Sequence, residues 1–388
     1  MFPTRYTNLP EARARFGDRV ERLGQYFDRV DDVADAAVEG ITRDGGGGFS
    51  LLTRALDHGI DAVPGAPDGL RALFAQVDRV PAWVDWDVVD RGGELLRRAG
   101  PLGGIVLGAK SLVHGYASPA GNKPLVFSGR LKEMAARRLN ESARFVQAVT
   151  APSGLTRWSD GFKISVKVRL MHAQVRRMIL SSGRWRTDDW GLPINQHDLS
   201  ATSLLFSQSV VVGLRQLGLR ISSDEADSYI HLWRYASWLM GGEIELLPAS
   251  EVEAMRLVEL IEATQGAADE DSRALTRALM EAPLIEVKTE KGRRWAERRA
   301  AFGYAMAREL VGPTVAEQLA LPITPWRFTI PPIKALVSAM EVVRELSPIA
   351  HRTAIDMGTR YWQRVVEVGL GGATVEFGLP QRLAHAPA

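Results

Sequence analysis

A chain of 388 residues with 46% apolar and 24% charged residues has the composition of an ordinary globular protein, which excludes a disordered or fibrous chain. Lys and Arg number 48 against 46 Asp and Glu, a net charge of +2, so no whole-molecule basic field is available for nucleic acid or anionic lipid. There is no cysteine, which removes disulfides, thiolate-bound zinc, iron–sulfur clusters and cysteine nucleophiles, and leaves seven histidines as the complete set of imidazole ligands: His58, His114, His172, His197, His231, His351 and His385.

The chain opens MFPTRYTNLPEARARF, without a basic head and apolar core, and no run of 18 or more apolar residues follows; this predicts a cytoplasmic protein with no transmembrane segment. Apolar residues recur at three- and four-residue spacings, predicting an all-α protein. In chain order the predicted helices cover about 10–27, 51–59, 68–76, 86–99, 103–115, 129–149, 161–182, 198–217, 223–241, 250–265, 270–281, 289–311, 330–345 and 347–368. Ser222 with Glu225, and Ser250 with Glu253, have the spacing of reciprocal capping, and Pro348 after Ser347 suits a first helical turn. The glycine run Asp44–Gly48 reads as a turn; it lacks the Lys-Ser/Thr of a phosphate loop and the βαβ setting of a dinucleotide fingerprint. No long Pro-, Gly- or Ser-rich linker divides the chain. A single α-helical domain over 1–388 is expected, its core at about 80–250, with N-terminal helices (1–80) and C-terminal helices (250–370) packed on it.

The segment Phe162–Leu180, FKISVKVRLMHAQVRRMIL, sorts into two helical stripes. Ile164, Val168, Met171, Val175 and Met178 make an apolar one, while Ser165, Arg169, His172 and Arg176 make a polar one. Large apolar residues on several sides predict a buried helix, so the polar stripe needs partners inside the protein. Two cationic neighbours disfavour imidazolium and leave His172 neutral, while the arginines can bind carboxylates bidentately. A neutral imidazole flanked by carboxylate receptors suits a b-type haem, whose iron takes a nitrogen ligand and whose propionates take cations. The same pattern equally describes a buried structural histidine with ion-paired arginines.

Other chemistries fail on inventory: there is no His-Glu-x-x-His, no pair of histidines at helical ligand spacing and no Gly-x-Ser-x-Gly elbow. Trp233 and Trp238, beside His231 and Arg234, read as core. His197, in GLPINQHDLS, reads as part of a helix start rather than a metal ligand.

Several phrases, in this order, resemble the rubber oxygenase (latex clearing protein) and MpaB-type oxygenase family. They are PAWVDWD (81–87), HGYASP (114–119), SGR (128–130), RRLNESARFV (137–146), VRLMHAQVRR (168–177), WGLPINQHDLSATSLLF (190–206) and YIHLWRYASWLMGGEIELLP (229–248). The resemblance is close over about 45–250 and looser beyond. It implies an all-α protein with a globin-like core holding haem b, iron bound by His172, and Arg169 and Arg176 at the haem periphery. The family's distal arginine falls on Arg138 and its hydroxyl, four residues on, on Ser142. Rubber-cleaving members carry a lysine before that hydroxyl; here the position is Glu141. Their upstream glutamate base has no counterpart, because Leu95–Lys132 contains no acid, and the matching place lies near Asn122. The resemblance thus implies a haem-dependent oxygenase using O₂ on a carbon–carbon double bond of an apolar small molecule, isoprenoids included, with Arg138, Ser142 and Glu141 as the distal set. The departures leave a non-catalytic haem protein (a gas or redox sensor or a haem carrier) as the alternative.

Overall fold

The computed structural model describes residues 2–43, 48–127, 135–285, 287 and 289–370, apart from the side chains at 48, 135–138 and 370. The glycine run at 44–47 and the SGR phrase lie outside the described residues.

Among the described residues there are twenty α-helices and no strand, only an isolated bridge between Tyr6 and Gln265. The chain begins with α1 (Leu9–Phe16), α2 (Arg19–Gly24), α3 (Asp32–Arg43), α4 (Gly48–His58) and α5 (Asp68–Val77). α6 (Trp86–Ala99) and α7 (Pro101–Val106) lead through a π-helical stretch, Leu107–Ser111, into α8 (Leu112–Tyr116) and α9 (Lys123–Phe127). The middle comprises α10 (Ala135–Val149), α11 (Asp160–Ser181), α12 (Thr187–Trp190), α13 (Gln196–Phe206), α14 (Gln208–Gln216) and α15 (Ser223–Leu239). It is followed by α16 (Glu251–Ala263), α17 (Glu270–Glu281), α18 (Glu290–Gln318), α19 (Ile330–Leu346) and α20 (Pro348–Leu370).

The helix starts follow their side chains. Asp85 caps α6, accepting from the backbone N–H groups of Asp87 and Val88 at 3.0 and 3.1 Å. Ser222 and Glu225 form the complete reciprocal box at α15. At α16 Ser250 accepts from the Glu253 N–H, but the Glu253 carboxylate reaches the N–H of Ala249 instead of Ser250. α20 does begin at Pro348.

Three predicted spans are interrupted, two of them where the backbone leaves helical geometry. The 10–27 span divides near Gly17 (φ 62°), and 198–217 divides at Ser207 (φ −104°, ψ −89°). The 103–115 span holds the π-helical widening. The predicted end at 311 holds: the backbone leaves helical geometry at Gly312 (φ 81°, ψ 169°), and after it Pro313 opens a further helical stretch that completes α18. α3, α9 and α12 were not expected. The buried residues of α3, Ala34, Ala37, Val38 and Ile41, do recur at three- and four-residue spacings, so its amphipathic signal is present in the sequence.

The main core draws on residues from Ala34 to Trp362, and a second cluster joins Tyr6, Val20, Leu23 and Phe27 to Leu204, Ile230 and Leu260. α6 and α15 pack closely enough that a Cβ at Gly92 would lie 2.3 Å from the Ser228 carbonyl oxygen. Backbone cannot step aside as a side chain can. Gly92→Ala is therefore expected to cost about 1–3 kcal/mol or more, read as a lower urea midpoint at unchanged m-value.

Candidate functional site

α11 starts at Ser159, whose hydroxyl accepts from the Phe162 N–H, and runs for 22 residues, packed against α3, α10 and α15. As the stripe analysis predicts, Ser165, Arg169 and Arg176 are buried. Ser165 donates back to the Gly161 carbonyl at 2.7 Å and so needs no outside partner.

The two arginines bind carboxylates, but those of the protein. Arg169 grips Asp31 with Nε and Nη2 at 2.6 and 2.9 Å and also donates to the Gln76 side-chain carbonyl at 2.7 Å. Arg176 grips Asp35 through Nε and Nη2 and donates to the Ile194 carbonyl at 3.0 Å. Both pairs tie α11 to the α3 region. Both forks are thus already ion-paired within the protein, so at the haem periphery expected of them either would have to give up an aspartate to hold a propionate. Of the two, only Arg169 keeps a buried N–H edge, at Nη1, with no partner.

His172 has the opposite character. Its Nδ1 is enclosed without a hydrogen-bond partner, and no hydrogen bond to the ring is made within the described residues. Desolvation, and next the Arg176 charge, push its pKa down to about 4 against the pull of Asp31, so the ring is neutral at pH 7. Yet the residue keeps part of its surface accessible. A neutral imidazole with unused nitrogen fits an iron ligand.

α10 lies alongside α11. Arg138 falls within its helical span, though its side chain lies outside the described residues; Ser142 and Glu141 are both half-buried. Positions 138, 142, 145 and 149 share one face of the helix, and Phe145 on that face meets Phe206 and Trp233 edge-on at 6.2 and 5.8 Å. Trp233 stacks on Phe206 at 5.0 Å, and Tyr229 stands 6.3 Å from Trp233. The Trp233 Nε1 and the Tyr229 hydroxyl are buried with each other as the polar group at hand, and burial holds the Tyr229 phenol well above its ordinary pKa against the pull of Trp233. Trp233 is core, as expected.

Asp31 and Asp35 were missed by the sequence reading because α3 was missed; Gln76, on the expected α5, was missed because nothing local points it at Arg169. The available signal was the one-turn spacing of Asp31 and Asp35 beside small apolar residues. Lys110 and His114 were missed for another reason: their partner is a helix kink. Lys110 is buried and donates from Nζ to the Leu310 carbonyl at 2.6 Å, while His114 approaches the carbonyl of Val311. These two carbonyls precede Gly312–Pro313, where the helical ladder of α18 is interrupted.

Burial pushes Lys110 down to about 8, and burial together with Lys110 pushes His114 down to about 4. The unfolded chain binds the histidine proton near pH 6.5 while the folded chain stays neutral to about pH 4. The His114 contribution to stability is thus complete above pH 6.5 and is lost as pH falls between those values, by roughly 3 kcal/mol in all. Urea midpoints at pH 7 and pH 4.5 should differ less in His114→Gln than in the parent chain.

His197 lies in the first turn of α13 below its cap Asn195, the helix-start position expected of it. It stacks on Phe27 at 4.1 Å, and its Nε2 is unpartnered beside a cavity of about 10 Å³, the size of one water. Among the described residues no three His, Asp or Glu side chains gather as a metal cluster, and no helix is long and apolar enough to cross a membrane.

Fold and site together define an all-helical protein in which the 22-residue α11 carries one neutral histidine whose Nδ1 is enclosed without a partner. The chain belongs to the family described as ER-bound oxygenase mpaB/B'/Rubber oxygenase, catalytic domain, which matches residues 86–344. It is 27% identical over 192 residues to the rubber oxygenase of Streptomyces sp. (strain K30); the match covers 49% of this chain and spans about half, 47%, of that relative. Its fold is similar to that of latex clearing protein LCP in the closed state, with a TM-score of 0.69 at 21% identity over 87% of this chain and 91% of that one.

Proposed function

We propose that this chain is a haem b-dependent oxygenase that uses O₂ to oxidise a carbon–carbon double bond of an apolar small molecule, with His172 as the protein ligand to iron. The observation that carries this reading is the buried, neutral and unpartnered His172 imidazole in a member of an oxygenase family. Bound haem would supply O₂ binding and activation at iron. The chain's own residues then do the rest. α11 holds the imidazole rigidly, because Arg169 and Arg176 anchor the helix one turn to either side. Arg138 and Ser142, one turn apart on α10, would be the polar pair that steers or polarises bound O₂, with Glu141 next to Ser142 in sequence. Phe145, Phe206 and Trp233 keep the surroundings apolar and dry.

Polyisoprene is a weaker candidate than smaller alkenes and terpenoids. Glu141 stands where the rubber-cleaving pattern has lysine, and no acid occurs between Leu95 and Lys132 to act as its upstream base. The same departures favour, as the second reading, a haem protein without oxygenase turnover. One absorption spectrum, as isolated and again after dithionite and CO, tests the cofactor: a Soret band that shifts with CO is expected, and a colourless folded protein from haem-supplied cells overturns it. Dioxygen uptake over a panel of alkenes and terpenoids separates the two readings, since a stable haem protein that consumes no O₂ with any of them is the second.

A further inference from the structure

α19 is apolar on both sides. Its inward side sets Ile330 and Val337 in the core, together with Glu341, buried and held by Arg98 at 2.8 Å, by Arg344 at 3.0 Å and by the Arg220 backbone N–H at 3.0 Å. Its outward side is apolar. Of the exposed positions between 331 and 346, only Glu345 is charged, and at 100° per residue the others cover about half the circumference. Leu336 and Met340 are each 62% exposed and Leu346 is 81% exposed. The apolar surface continues through Phe328 before the helix and Ile349 after it.

We propose that this face of α19 is the two-fold interface of a homodimer. The large side chains from Phe328 to Ile349 present roughly 900 Å² to solvent, above the few hundred Å² of an ordinary monomer's largest patch and close to the ~800 Å² each partner buries in a standard interface. The relief is self-complementary. Ala335 and Ala339 form a low ridge beside the high ridge of Leu336 and Met340, with Val343 above. When the helix meets its own copy antiparallel about an axis near Ala339, each high ridge lies over the partner's low one, as an isologous contact requires. A lipid surface fits less well. A helix lying in a bilayer interface borders its apolar face with Lys and Arg. Here the bordering charge is of both signs, Arg327 beside Phe328 and the acidic Glu345, and the exposed face of α20 mixes Arg352, Arg360 and Arg364 with Asp356 and Glu367.

The cysteine-free chain makes the test direct. Full-length protein at tens of micromolar should elute with light-scattering mass twice that of the chain. Ala339→Cys should form a disulfide-linked dimer on mild oxidation, while Glu297→Cys, exposed on α18, should not. Leu336→Glu with Met340→Glu should weaken association by at least about 30-fold with helical circular dichroism unchanged. A full-length monomer whose Ala339→Cys form does not cross-link overturns the proposal. So does a monomer that pellets with phosphatidylcholine–phosphatidylglycerol vesicles, which would assign the face to lipid.

Discussion

Asp31→Ala is expected to destabilise the folded chain by about 3–5 kcal/mol, among the largest effects any single surface-to-core change should produce here. The carboxylate has three duties. It receives the Arg169 fork at 2.6 and 2.9 Å, and its Oδ1 also accepts from the Ala34 N–H at 3.1 Å, capping α3. The third is spatial: Gly241, at φ 87°, leans over the pair so closely that a Cβ there would overlap Asp31 Oδ2. Removing the carboxylate leaves a guanidinium that is 2% exposed with only Gln76 for company. The cost is mostly that stranded charge, so it should be largely recovered when the charge goes too. In a cycle of Asp31→Leu, Arg169→Met and the double variant, the double should be closer to the parent than the sum of the singles by at least about 1 kcal/mol, measured by urea unfolding. Strict additivity would mean that the two groups do not act as a pair.

That ion pair also shows where sequence reasoning succeeds and where it stops. The all-helical class was legible because large apolar residues recur at helical spacing over most of the chain, and the capping at Ser222 because a cap is local. The polar stripe on α11 and the neutrality of His172 were legible too, since helical neighbours one turn apart are set by backbone geometry. The partners of that stripe were not. Arg169 and Asp31 are 138 residues apart, and nothing in either neighbourhood says which carboxylate will arrive. Arginines spaced to hold propionates are equally spaced to hold aspartates. The breaks at Ser207 and in the π-helical stretch 107–111 were hidden for a related reason: the apolar pattern continues through them, and packing decides the break. Lys110 and His114 take their meaning from a kink two hundred residues away. The helix at 330–345 was legible as a helix, but the exposure of its apolar face was not, because periodicity reports that a face is apolar and not what it is turned towards.

His172→Leu carries the opposite expectation to Asp31→Ala, because the two buried groups differ in what they lack. Asp31 is fully partnered, whereas the His172 Nδ1 is enclosed with no partner. An unmet buried nitrogen costs about 1–3 kcal/mol, so a leucine of similar volume should leave the haem-free chain as stable or more stable by about 1 kcal/mol. If the imidazole is the iron ligand, the same substitution should remove most of the Soret absorbance, with haem affinity down by on the order of 100-fold or more. Thermal unfolding of the haem-free form and haem titration read the two effects separately. Ser165→Ala serves as the control on the same helix: its hydroxyl is already bonded to Gly161, so it should change stability slightly and haem binding not at all. A His172→Leu chain that keeps its Soret band would move the ligand to another histidine. One that unfolds as readily as Asp31→Ala would make His172 a structural residue, since only a side chain retained for a bound group should be easier to lose for the fold than for the site.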